Sequence, residues 1–98
     1  METEKIQTMH PDPTKSNKKI LLLKYQTIKT TLLSILQVSE LTYTDLMEKL
    51  YQEVKDTFEG GVQWYGEVVK LDLEARGIIE RTKTKPVRYR LKNDSIES

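Results

Sequence analysis

Helical periodicity, a short extended piece and a basic hairpin follow one another along this 98-residue chain in a telling order: helix, strand, helix, helix, strand, turn, strand. That order predicts an α+β fold of the winged helix-turn-helix class, three helices with a small antiparallel sheet and a C-terminal basic β-hairpin as the wing. Two features carry most of the weight. "VRYRL" alternates strictly after the "KTKP" turn, with Val87, Tyr89 and Leu91 on one side and Arg88 and Arg90 on the other. A short extended piece also precedes the second helix, where a strand is needed to complete a three-stranded sheet with the hairpin. A bare three-helix domain with an incidental hairpin has no use for that strand.

Residues 1–19 are polar, carry Pro11 and Pro13 and show no periodicity, which predicts a flexible N-terminal arm ahead of a folded domain at residues 20–92. Leu21, Tyr25, Ile28, Leu32, Ile35 and Leu36 recur at steps of three and four and predict a first amphipathic helix from Leu21 to Gln37. Its threonines at 27, 30 and 31 are poor helix formers, so packing must hold it. Leu41 to Tyr43 reads as the short strand. Thr44 is then the expected N-cap of a second helix, with Asp45 in the first turn at the positive end of the dipole and Leu46, Met47, Leu50, Tyr51 and Val54 as its buried stripe. Gly60 and Gly61 break that helix, with Phe58 plugging the core below. The third helix runs from Val62 to Arg76 and stops at Gly77. "IIERT" and "VRYRL" are the hairpin strands, and residues 93–98 read as a disordered tail.

The length suits one domain. The longest apolar run, Ile20 to Leu23, falls far short of the about 20 residues that a spanning helix needs. There is no basic-then-apolar secretory leader and no cysteine, which points to a cytoplasmic protein. The formal net charge of +1 hides an asymmetry. From Arg76 to Lys92 the cations are Arg76, Arg81, Lys83, Lys85, Arg88, Arg90 and Lys92 against Glu80 alone, so the other residues sum to a clear negative charge.

The third helix and hairpin also carry a resemblance. Trp64 and Tyr65, followed by Val69, Lys70, Leu71, Asp72, Leu73, Glu74, Ala75, Arg76 and Gly77, resemble the shared core of a family of small bacterial proteins of unassigned function, expected to be winged helices. The early "MHPDPTK" is similar to that family's His-Pro arm, so the likeness extends over almost the whole chain. It implies the fold and a bacterial cytoplasmic setting, and brings no reaction, substrate or ligand. The Leu-Glu-x-x-Gly-Ile-Ile-Glu-Arg run is similar to the helix-to-wing junction of winged-helix regulators.

In most winged helices the third helix enters the major groove while the wing touches the backbone. Projected at about 100° per residue, Trp64, Val68, Leu71 and Ala75 form one apolar stripe and Val62, Tyr65, Val69 and Leu73 a second. Gln63, Gly66, Glu67, Lys70 and Glu74 fill the remaining sector. On this projection Gln63 and Lys70 are the candidate base contacts, by hydrogen bonding to adenine and guanine. Glu67 and Glu74 read instead as solvated partners of Lys70 at helical spacing. Arg81, Lys83, Lys85, Arg88 and Arg90 in the wing are the candidate phosphate contacts, with Thr82 and Thr84 adding hydrogen bonds at the tip. The bland alternative for the wing is a charged edge that discourages aggregation. If the sheet leaves the second stripe uncovered, Tyr65, Val69 and Leu73 become a dimer or partner surface.

Catalytic chemistry finds little support. His10 is the sole histidine, in a Pro-flanked stretch, so a zinc site lacks its second ligand; the acids are dispersed, and no Gly-rich phosphate loop is present. The expectation is a non-enzyme with neither cofactor nor metal. Two functions remain. One is a regulator of transcription that binds double-stranded DNA, as a dimer, through its wing. The other is a winged-helix module for protein–protein interaction or dimerisation without sequence-specific DNA binding.

Overall fold

The structure, a computed structural model, describes residues 3–92. The predicted tail at 93–98 and the first two residues of the arm lie outside them. The chain is α+β, with elements β1 (Lys5–Gln7), β2 (Lys19–Leu21), α1 (Leu22–Val38), β3 (Leu41–Thr42), α2 (Tyr43–Val54), α3 (Val62–Ala75), β4 (Ile79–Arg81) and β5 (Arg88–Leu91). Three helices pack mutually around Ile28, Leu32, Leu46, Leu50, Val69 and Leu73, and two small antiparallel sheets flank them.

The threonines of α1 are accommodated by back-bonding. Thr27 Oγ1 donates to the Leu23 carbonyl at 3.0 Å and Thr31 Oγ1 to that of Thr27 at 2.8 Å. Tyr25, Ile28, Leu32 and Leu36 bury the expected face. Helix α2 begins two residues earlier than its sequence suggests, at Tyr43. Strand β3 ends at Thr42, and it is the Thr42 hydroxyl that accepts the Asp45 N–H at 3.3 Å, so Thr42 and not Thr44 is the N-cap. Two threonines spaced two apart offered both registers; pairing of β3 with the hairpin selects the first. Tyr51, assigned to the buried stripe, is half exposed.

Helix α3 ends as expected. Gly77 takes a positive φ of 75°, its N–H donates to the Glu74 carbonyl at 3.1 Å, and Ile78 N–H reaches back to Leu73 at 2.9 Å. This pair of bonds satisfies carbonyls that the helix leaves open, and it turns the chain straight into β4. The sheet order is β3-β5-β4, so the short strand before α2 does complete a sheet with the hairpin. Its register pairs Leu41 with Tyr89, Thr42 with Arg88 and Glu80 with Arg90.

The expected flexible arm is instead built into the fold. Strands β1 and β2 pair with Ile6 opposite Ile20, and Ile20 belongs to the core, so a domain boundary at residue 20 cuts through a strand. Between the strands, Asn17 Nδ2 donates to the carbonyls of Met9 (2.9 Å) and Val68 (3.0 Å), and the Met9 N–H donates to Asp72 Oδ1 at 2.8 Å. Thr8 is buried and its hydroxyl donates to the Lys18 carbonyl. Three-residue strands are too short to show periodicity, and their anchors lie on α3 more than fifty residues away in sequence. Both facts hide the hairpin from a local reading.

Candidate functional site

Helix α3 supplies the surface on which the two predicted functions differ, and its packing reverses much of the helical projection. The sector expected to be open is largely covered. At Gly66 the helix passes so close to α2 that a Cβ would fall 2.7 Å from Leu50 Cδ2 and 2.8 Å from Met47 Sδ. Lys70, expected to reach a base or phosphate, is 2% exposed. Its ammonium lies 2.6 Å from Glu74 Oε2, 4.0 Å from Glu67 Oε1, and 4.6 Å from the centre of the Tyr89 ring. Glu74, expected to be solvated, is partly buried with its side chain only 7% exposed, and holds Arg81 through its other oxygen at 2.7 Å. That bond raises the Arg81 guanidinium pKa further. Burying a lysine is costly unless it is paired and hydrogen-bonded, and here it has a carboxylate and an aromatic face. The sequence shows the Lys70–Glu74 spacing but not that the hairpin folds over it.

Burial is also divided between the two apolar stripes, with Val68 of the first in the core. Val69 and Leu73 are fully buried in the core, and Tyr65 is half-buried. Tyr65 packs edge-on against Phe58 (5.1 Å) and Trp64 (4.9 Å), with Lys24 over its ring at 5.1 Å. Tyr65, Val69 and Leu73 therefore form no partner surface, because the other two helices claim that stripe. Trp64, from the stripe expected inside, is 48% exposed, and it shares the outward face of α3 with Gln63, Glu67 and Leu71. Asp72, which the sequence left without a role, is fully buried. Its carboxylate accepts from the Tyr25 hydroxyl at 2.5 Å, Arg76 Nε at 2.8 Å and the Met9 N–H.

The cations of the β4–β5 hairpin divide into paired and unpaired. Arg81 is bound to Glu74; Arg90 Nε meets Glu80 at 2.8 Å and its Nη1 lies 4.0 Å from Glu40. Lys83, Lys85 and Arg88 are exposed and make no ion pair among the described residues. The threonines expected to meet phosphate are spent inside the turn. Thr82 and Thr84 hydroxyls lie 2.6 Å apart, Thr84 donates to the Pro86 carbonyl at 2.9 Å, and Thr82 accepts the Arg88 N–H at 2.9 Å. The Lys85–Pro86 peptide is cis.

Beside the wing, α2 and α3 enclose a cleft of about 260 Å³ lined by Tyr43, Thr44, Met47, Glu48, Tyr51 and Gln63. Burial pushes the Tyr43 hydroxyl pKa up, with Gln63 opposing and Glu67 adding to the rise. A larger and more open hollow of about 650 Å³ lies between α1 and α2, bordered by Thr30, Thr31, Ser34, Val38 and Glu53. Among the described residues no group of histidine or acidic side chains could hold a metal ion, and no helix is long and apolar enough to cross a membrane. His10 closes a local turn, its Nδ1 accepting the Asp12 N–H at 3.0 Å. The Asp12 carboxyl beside it is held below its usual range by hydrogen bonds from Thr14.

No curated protein and no solved structure matches the chain. Residues 5–89, from the first strand of the N-terminal hairpin to the middle of β5, match the model of a single family. The match takes in the N-terminal hairpin, the three helices and the C-terminal hairpin as far as β5, and the chain belongs to this family of unknown function, DUF6958.

Proposed function

We propose that this chain is a winged-helix domain acting as a protein-interaction module and not as a reader of DNA sequence. The order helix, strand, helix, helix, strand, strand, with the sheet arranged β3-β5-β4, supports the winged-helix assignment; the N-terminal hairpin is an addition to it. One observation carries the functional choice. Lys70, the cation on which groove contact by α3 depends, is buried and neutralised by Glu74. The other cation of this segment, Arg76, is engaged by Asp72. What α3 turns outward is Gln63, Trp64, Glu67 and Leu71. A half-exposed tryptophan beside a carboxylate suits a protein partner, where aromatic anchors dominate binding. Facing a polyanion, the carboxylate is repelled.

A second reading has its own support. Lys83, Lys85 and Arg88 are free to meet phosphates, so the wing alone can hold double-stranded DNA weakly and without reading bases, the minimal form of a regulator. Titration of labelled duplex DNA by anisotropy separates the two. Each phosphate contact steepens the salt dependence, so three contacts are expected to be lost by about 0.15 M salt. Binding at low salt that fades by about 0.15 M, and that disappears when Lys83, Lys85 and Arg88 are changed to alanine, would establish the second reading over the first.

A further inference from the structure

We infer that the partner is a second copy of this chain, the wing of each copy lying across the α2–α3 cleft of the other. This rests on the interaction-module reading and supplies the partner it lacks. The cleft is built to take a basic side chain. Tyr43, Tyr51 and Met47 give it aromatic and thioether walls, and the single charge among its lining residues is Glu48. Glu48 accepts a hydrogen bond from Gln52 at 2.9 Å and has no ion pair among the described residues. The Tyr43 ring already has Lys70 at 5.8 Å, whereas the half-exposed Tyr51 ring has no such cation. Aromatic faces with an unpaired carboxylate and no lining cation favour the alkyl stem and charged head of a lysine or arginine.

The wing is the complementary element. It presents Lys83, Lys85 and Arg88 without ion pairs, together with the half-exposed Val87. Its turn is preformed by the Thr82, Thr84 and Arg88 hydrogen bonds, so little ordering remains to be done on binding. None of these cations lines the cleft of its own copy. Yet wing and cleft are neighbours: Thr42 pairs with Arg88 in the sheet, and the next residue, Tyr43, opens both α2 and the cleft. Two complementary patches side by side on one surface can be satisfied together by a two-fold axis between them, which gives a closed dimer.

Sedimentation velocity of the whole chain tests this. A dimer is expected at low salt, weakening as the Debye length falls from about 30 Å at 0.01 M to about 8 Å at 0.15 M. Lys83→Glu combined with Lys85→Glu, and separately Glu48→Lys, should each raise the dimer dissociation constant roughly tenfold or more, since like charges then meet at both symmetric contacts. All three positions are exposed, and circular dichroism should show both variants folded. Mixing the two variants should restore association, because every wing–cleft contact in the mixed dimer again pairs opposite charges. A monomer at low salt and millimolar concentration overturns the proposal, as does a dimer indifferent to both reversals or a mixture that stays monomeric. If the same protein shows no low-salt DNA binding that depends on Lys83, Lys85 and Arg88, those failures remove the second copy as partner and leave the interaction module standing. Salt-sensitive DNA binding that depends on these three cations instead removes the module reading itself.

Discussion

Lys70 and Glu74 form a buried ion pair at 2.6 Å inside the angle between α3 and the hairpin, and Arg81 closes it from outside at 2.7 Å. Glu74 thus bridges a helix cation to a wing cation, with the Tyr89 ring beneath both: Lys70 at 4.6 Å and Arg81 at 5.5 Å from its centre. The hairpin is held to the helix by this charge cluster as well as by its apolar residues.

Removing one partner of a buried pair is costlier than removing both. Lys70→Ala should lower stability by about 3 kcal/mol, the low end for such a break because Arg81 still neutralises Glu74. Lys70→Met with Glu74→Met should cost less than the single change, despite altering more residues. Urea unfolding of the two variants gives the comparison, and a double variant less stable than the single would show that the pair is a net stabiliser.

Tyr25 ties α1 to Asp72 and so to the N-terminal hairpin. Burial, the hydrogen bond to Asp72 and its negative charge raise the Tyr25 pKa from 10.0 to about 12. The folded state therefore holds this proton more tightly than the unfolded chain. Its contribution is fully present below pH 10.0 and is lost as pH rises through about 12. Thermal unfolding between those limits should show the decline, and Tyr25→Phe should flatten it while costing about 1.5–3 kcal/mol at neutral pH, as for a hydrogen bond to a charged group.

Gly66→Ala tests the close crossing of α2 and α3. In an open helix the change would gain up to about 1 kcal/mol. Here the new methyl would fall 2.7 Å from Leu50 Cδ2 and 2.8 Å from Met47 Sδ, two side chains packed in the core. Overpacking should outweigh the propensity gain and leave a net loss of about 1 kcal/mol. A rise in melting temperature would show that α3 lies further from α2.

Thr82→Val should loosen the wing selectively. The variant keeps the shape but leaves the Arg88 N–H without its 2.9 Å acceptor, at a cost of about 1–2 kcal/mol. Hydrogen exchange should accelerate at Arg88 and its neighbours while the α1 and α2 amides stay protected. Uniform acceleration would mean that the turn is not a local unit.

Residue order and spacing by themselves determined the three helices, the glycine stop at residue 77, the alternating C-terminal hairpin and the short strand that joins it. Each depends on neighbours within a turn or two, where period and backbone preference act directly. Tertiary structure decided which stripe of α3 faced inward, because Val69 and Leu73 on one side and Trp64 and Leu71 on the other are equally apolar in sequence. It also decided that Lys70 would be buried and the polar arm would fold, since Tyr89, Asp72 and Val68 reach these groups only after the helices and hairpin have packed. Charge counted along a chain says which groups exist; burial decides which of them remain available to a partner. Of the seven residues expected to contact DNA, that leaves Lys83, Lys85 and Arg88 exposed and without an ion pair among the described residues, and Gln63 exposed but hydrogen-bonded to Tyr43.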